Sequence, residues 1–300
     1  MSVASPRFGR VLTAMVTPFD SDGGLDLDGA ASLARWLVST GSDGLVVAGT
    51  TGEAPVLTDE ERMDLIEVVA AAVTVPVLAG TTTNDTAHSV GLTKRARDLG
   101  AAGVLAVTPY YNRPSQRGLI GHFGAIAQAT DLPVVLYDIP IRTGRKIESS
   151  TVLALAGSHS NVVGLKDAAG DVATTAEFIR QAPQAFEVYA GDDGLIIPLM
   201  AVGAVGVISV ASHWVAAPMK ASMEAMVEGR LAEAVLLNQG LLASYRFESQ
   251  TDWPNPIPTK AILRALGLPS GQCRLPMGTA DASLDEAARN LCRELGLLHG

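Results

Sequence analysis

Eight short β-branched runs, each followed by a stretch with helical spacing, constrain this chain more than any other feature. The runs fall at 11–19, 44–49, 75–80, 103–109, 133–138, 162–166, 187–190 and 206–210. They are near-continuous Val, Ile, Leu and Ala rather than alternating, which is how parallel strands covered on both faces read. Helical stretches fill the intervals at 27–39, 58–72, 85–99, 116–129, 149–156, 174–181, 195–202 and 218–228. The second opens on a capping box, with Thr58 as cap and Glu61 three residues on. Eight β/α units in a row predict a closed (β/α)8 TIM barrel. A doubly wound open sheet is the competitor, and no GxGxxG follows the first strand to favour it. Beyond residue 229 the strands stop, and 231–248, 258–266 and 284–297 all have helical character. The expected organisation is a barrel over 1–229 and a small all-helical C-terminal domain over 230–300.

Charge and composition narrow the partners. At 48% hydrophobic and 18% charged, the 300 residues suit a large single core. A net charge of -9 argues against a nucleic-acid surface, and the densest basic patch, Lys94-Arg95-Ala96-Arg97, reads as a solvated helix face. Cys273 and Cys292 fit neither a zinc spacing nor a disulfide framework and are expected to be reduced, in a cytoplasmic protein. Residues 1–10 lack the pattern of a secretory leader, and the longest apolar run, 194–210, is broken by Pro198, so no membrane span is expected.

In a barrel of this kind chemistry belongs at the C-terminal strand ends and the loops after them. Of Lys94, Lys146, Lys166, Lys220 and Lys260, four lie in helical or loop patterns where a solvated role is the default. Lys166 alone ends an apolar strand. Taking an ammonium out of water favours the neutral amine, which is a nucleophile toward ketones and forms a Schiff base. Tyr137 ends the neighbouring strand and offers a phenol for proton transfer. Arg142 follows in the same loop and suits a carboxylate, while Thr50 and Thr51 sit among glycines that open the backbone to one. Alone, each has a plainer reading: a rim ion pair of Lys166 with Asp167, a core tyrosine, a surface arginine, a capped turn. Four such residues at strand ends weaken those readings together.

At these residues the chain resembles the dihydrodipicolinate synthase/N-acetylneuraminate lyase family of Schiff-base aldolases. The resemblance rests on GTTGE (49–53), TPYYNRPSQRGL (108–119), LYDIPIRTG (136–144), GLKDAAGD (164–171), AGDD (190–193), GVISV (206–210) and NPIPTK (255–260), in family order along nearly the whole chain. It implies condensation of pyruvate with L-aspartate 4-semialdehyde, on the path to lysine and diaminopimelate, without metal or organic cofactor. Lys166 would carry the Schiff base and Tyr137 the acid/base role. Thr51 would relay protons between Tyr137 and Tyr111, the latter reaching into a neighbouring subunit of a homotetramer built from tight dimers. Arg142 would hold the semialdehyde carboxylate, Thr50 and Thr51 that of pyruvate, and the backbone at Gly191 and Ile208 would line the pyruvate pocket.

Some positions depart from the family pattern. Ile141 stands where many members carry a small or polar residue, which places bulk near the aldehyde. YDIP replaces the commoner YNVP, a neutral change. Asp59, Arg62 and His88 replace the histidines and glutamate of lysine-regulated members, although Asn84 and Tyr110 remain, so weak or no inhibition by L-lysine is expected. Alternatives are a 2-keto-3-deoxy sugar acid aldolase, a neuraminate lyase, or a non-catalytic keto-acid-binding barrel. His122, His159, His213 and His299 form no ligand or triad pattern and are expected to be structural or on the surface.

Overall fold

The computed structural model describes residues 5–298. Eight parallel strands close into a barrel in sequence order: β1 (Val11–Ala14), β2 (Gly44–Val47), β3 (Val77–Gly80), β4 (Gly103–Val107), β5 (Val134–Asp138), β6 (Val162–Asp167), β7 (Glu187–Ala190) and β8 (Gly206–Ser209). Closure is made by β1 against β8, with Val11 opposite Val207 and Leu12 opposite Ile208.

Side chains of one parity face inward. On the even-numbered strands the lowest inward layer is Gly44, Gly103, Gly164 and Gly206, two residues before Val46, Leu105, Lys166 and Ile208. A Cβ at Gly206 would lie 2.3 Å from the Arg10 carbonyl oxygen, and one at Gly164 2.7 Å from that of Glu187, so these positions admit no side chain. Phe8 occupies the space they leave. Its ring stands 3.2 Å from where a Cβ on Gly103 would be, and it is buried with Leu12, Leu105, Val135 and Tyr189. The N-terminal end of the barrel is thereby plugged. This is the layered filling of alternate strands expected for the fold.

The outer helices are α1 (Leu27–Ser39), α2 (Asp59–Ala72), α3 (Thr86–Asp98), α4 (Gln116–Gln128), α5 (Pro140–Thr143), α6 (Ser149–Ser158), α7 (Val172–Gln181), α8 (Ile196–Ala201) and α9 (Ser212–Val227). Side chains cap their starts: Asp26 accepts from Gly29 N–H, Asp85 from His88, Ser115 from Gly118 and Asp171 from Thr174. Thr58 and Glu61 form the expected capping box of α2.

Three differences from the sequence reading have physical reasons. β1 stops at Ala14 rather than 19, because Met15-Val16-Thr17 turns into a loop held by His213 and Gly52. The one-turn helix α5 is too short to show periodicity. α9 begins at Ser212, six residues before the expected proline start, because Val215 is non-helical (φ -128°) and breaks it into two segments. Pro218 then lies in the first turn of the second segment, where a missing N–H costs nothing.

Three further helices follow: α10 (Leu231–Glu248), α11 (Ile257–Ala265) and α12 (Ala282–Glu294). They continue the barrel's apolar core, which runs from Trp214, Met219 and Met223 on α9 to Leu241, Tyr245, Ile262 and Leu291. Trp214 Nε1 donates to Ser244 Oγ at 3.0 Å and Ser222 Oγ to the Ala234 carbonyl at 2.9 Å, both buried. Among the described residues no helix is long and apolar enough to cross a membrane, and no cluster of His, Cys, Asp and Glu is arranged to hold a metal. His122 and His213 are buried, His159 is half-buried, and His299 lies outside the described residues.

Candidate active site

Lys166 and Tyr137 are register partners on β6 and β5, so both side chains point into the barrel at the same height. Each is about 5% exposed or less, and Lys166 Nζ lies 4.3 Å from the Tyr137 ring centroid. The rim ion pair does not form. Asp167 points the other way, where its carboxylate accepts from Thr175 Oγ1 and from Ala169 N–H. A buried amine is thus placed against a phenol ring while its sequence neighbour's charge is engaged elsewhere. Ionic pairing therefore gives no reason for a lysine here.

Tyr137 lines a cavity of about 370 Å³ at the C-terminal end of the barrel, together with Thr50, Arg142 and Asn255. The Thr50-Thr51 loop is tightly built. Ala48 adopts a left-handed conformation (φ 54°), and its carbonyl oxygen would lie 2.2 Å from a Cβ on Gly80, so only glycine admits the approach. Glu53 is also left-handed (φ 55°), and Glu53 N–H returns to the Thr50 carbonyl at 3.1 Å. Thr51 is buried and accepts from Asn255 Nδ2 at 3.0 Å.

Arg142, on the last turn of α5, is exposed, and its Nη2 donates to the Asn255 carbonyl at 3.4 Å. Gly191, just after β7, and Ile208, on β8, do not line this cavity. Gly191 N–H donates to the Asp167 carbonyl at 2.7 Å, and a Cβ there would meet Ala168 at 2.8 Å, while Ile208 is buried beside Tyr137 in the inner core. Tyr111 is not brought to this group. It is 91% exposed, in a left-handed conformation (φ 71°) on the loop after β4. Ile141 is 90% exposed and does not line the cavity, so its bulk is not set against the aldehyde position within the chain.

The expectation of a solvated Lys260 is overturned. Its side chain is fully buried, its Nζ sits 2.7 Å from Glu53 Oε1 and 3.0 Å from the Gln272 carbonyl, and it lies over the Phe19 ring. Burial holds its pKa below the usual lysine range against the opposing pull of Glu53. Arg274 adds a backbone N–H to Glu53 Oε2 at 2.9 Å and grips Glu61 with both Nη atoms. Glu53, Lys260 and Asn255 were not singled out by residue type, because their partners come from opposite ends of the chain. The signal available was a lysine inside the apolar helical run of α11.

A second buried carboxyl group stands behind the site. Burial, then the charges of Asp193 and Asp192, push Glu248 up to about 9, against the opposing influence of Lys166 and Arg142. Burial likewise raises Asp193, whose Oδ2 accepts from Val210 and Ala211 N–H at the start of α9. Pushed that high, the Glu248 carboxyl stays protonated at neutral pH.

Comparison with known proteins gives a consistent result. Residues 7–294 match the Dihydrodipicolinate synthetase family. The chain is 49% identical over 294 residues to a 4-hydroxy-tetrahydrodipicolinate synthase of Moorella thermoacetica, covering 97% of this chain and 100% of that protein. It is 44% identical to the Bacillus subtilis synthase, covering 90% and 93%. Among solved structures, a DHDPS from Cyanidioschyzon merolae with lysine bound superposes with a TM-score of 0.95 at 41% identity, over 98% of this chain and 100% of that one. A dihydrodipicolinate synthase from Bacillus anthracis gives 0.92 at 41%, over 96% and 98%.

Proposed function

We propose a residue-by-residue mechanism on the premise that this chain belongs to the dihydrodipicolinate synthetase family. It is a lyase that condenses pyruvate with L-aspartate 4-semialdehyde to 4-hydroxy-tetrahydrodipicolinate, in lysine and diaminopimelate biosynthesis. The observation that carries the mechanism is the buried Lys166 amine beside Tyr137, with Asp167 turned away.

Lys166 Nζ adds to C2 of pyruvate, and the carbinolamine loses water to give a protonated imine. The imine nitrogen takes up the electron pair released when a C3 proton leaves, so the enamine forms without metal or organic cofactor. C3 of the enamine attacks the aldehyde carbon of the semialdehyde. The amine of the new chain then adds to C2 and expels Lys166, closing the ring. Tyr137 moves the protons at each step, and Thr51 connects it to Tyr111 of a second copy. Thr50 and Thr51 hold the pyruvate carboxylate, Arg142 holds that of the semialdehyde, and the backbone at Gly191 and Ile208 walls the ketone in.

In this reading the barrel, 1–229, carries the reacting groups and the helical part, 230–300, braces them. The exposure of Tyr111 suits a side chain that acts across a subunit contact, and with it a homotetramer of tight dimers in the cytoplasm. Trapping tests the central step. Protein incubated with pyruvate and reduced with borohydride should carry a pyruvyl adduct on the peptide containing Lys166. Folded protein with no adduct in excess pyruvate would remove Lys166 from the scheme.

A further inference from the structure

We propose that Arg62 makes an anion site in the wall of the active-site cavity, suited to the carboxylate of a short aliphatic acid. Arg62 lies in the first turn of α2 and is 4% exposed. Its Nη1 donates to the Gly80 carbonyl at 3.2 Å and its Nη2 to the Ala54 carbonyl at 2.8 Å. Carbonyls orient a guanidinium but leave its charge in place. Among the described residues Arg62 pairs with no carboxylate, and its Nε has no partner at all. Asp59, one turn back, is taken by His88. A cation drawn out of water without a counter-charge is costly, and an anion brought beside it removes that cost. Each Nη keeps a second N–H beyond the two bonds to carbonyls, and free N–H groups on a planar cation are the donors that a carboxylate fits.

Arg62 lines the same cavity as Thr50, Tyr137 and Arg142. Among the described residues Glu53 is the one carboxylate in that wall, and Lys260 and Arg274 already hold it. The cavity is thus more cationic than the reaction requires. In the proposed mechanism Arg142 takes the semialdehyde carboxylate and the Thr50-Thr51 loop takes that of pyruvate. The inference rests on that mechanism only in treating Arg62 as surplus to it. The lining is otherwise largely apolar, with Val56, Leu105 and Val107, and Tyr110 adds a phenol. A charged head with a short apolar tail matches such a wall better than a bare inorganic ion does.

Propionate is the probe, a carboxylate with a short tail and no keto group, so it forms no imine. The two places assigned to substrate carboxylates are removed first. Intact Arg142→Ala protein is reduced with borohydride in the presence of pyruvate, which fills the place of the ketone. Calorimetric titration of this protein should show propionate binding, and adding Arg62→Met should weaken it by about tenfold or more. Arg62→Gln keeps a donor for a carbonyl but loses the charge. It covers the case in which Arg62→Met fails to fold, and it should weaken binding as much. Propionamide, with the same shape and no charge, should not bind, and chloride should bind more weakly than propionate. No propionate binding to the reduced Arg142→Ala protein, undiminished binding after Arg62→Met or Arg62→Gln, or propionamide or chloride binding as tightly as propionate would each overturn the inference. If reduction leaves no adduct, Lys166 drops out of the mechanism, and the same titrations of the unreduced proteins still decide the Arg62 site.

Discussion

Glu53 and Lys260 form an ion pair of 2.7 Å in which neither side chain is more than 2% exposed. It ties the loop after β2 to the first turn of α11, and so ties Thr50 and Thr51 to the C-terminal helices. Removing one partner of such a pair strands the other charge without water. Lys260→Met should cost on the order of 3–5 kcal/mol of unfolding free energy. Glu53→Gln/Lys260→Met together should cost clearly less than Lys260→Met alone. Urea denaturation of the single and double variants measures both.

In the proposed mechanism Arg142 holds the second substrate. Arg142→Ala should raise the KM for aspartate semialdehyde by about tenfold or more, the value of a lost charge-assisted contact. The KM for pyruvate should move little. Equal effects on both constants in steady-state assays would count against the assignment.

Asp138 lies on the outer side of the strand ends, and burial pushes it up from 3.8 to about 6. Below about pH 4 it is neutral folded and unfolded alike. As pH rises toward 6 the unfolded chain gives up the proton first, so this group lowers stability across that window and by a constant amount above it. Asp138→Asn keeps an oxygen for the Ile147 N–H, now at 3.0 Å. It should be more stable than wild type at pH 7, by on the order of 3 kcal/mol at most, and equal to it near pH 4. Thermal melts at the two pH values decide this.

His213 gives the opposite slope. Its Nδ1 faces the Val210 carbonyl at 2.7 Å, which can only accept, so Nδ1 carries the proton and Nε2 receives Val16 N–H at 3.1 Å. Burial pulls its pKa from 6.5 down to about 4. The neutral ring's stabilisation is complete above pH 6.5 and is lost as pH falls to about 4, because the unfolded chain takes the proton first. His122 is lowered to about 4 by the same cause and adds to the effect. Unfolding curves across this range should show wild type losing stability on acidification, and His213→Gln should lose less over the same span.

L-Lysine should inhibit weakly or not at all. Asp59 is already paired with His88 at 2.9 Å, and the Arg62 guanidinium, held by the carbonyls of Gly80 and Ala54, would face an incoming ammonium. Initial rates should be unaffected by sub-millimolar lysine, and strong inhibition there would show that these substitutions leave an effector site intact.

The barrel was legible because a buried parallel strand leaves an apolar run and an outer helix leaves a period. Lys166 and Tyr137 stood out for the same reason: polar residues at the ends of such runs interrupt a strong local pattern. Arg142 and the paired threonines were legible from the loops that bear them. Lys260 and Asn255 were not, because what makes them matter is a partner on β2's loop, and packing between distant segments has no local signature. The start of α9 was misplaced because Pro218 marks only the second of two helical segments, and the break at Val215 is a tertiary feature.

The Phe8 plug has a consequence for traffic through the enzyme. With the N-terminal end of the barrel filled by that ring over a layer of glycines, Lys166 is reached from the mouth alone among the described residues. In the proposed mechanism the ketone passes the place where the aldehyde later sits, and the product must vacate that passage before another ketone can descend. A one-ended shaft therefore favours a ketone that is seated before the aldehyde arrives.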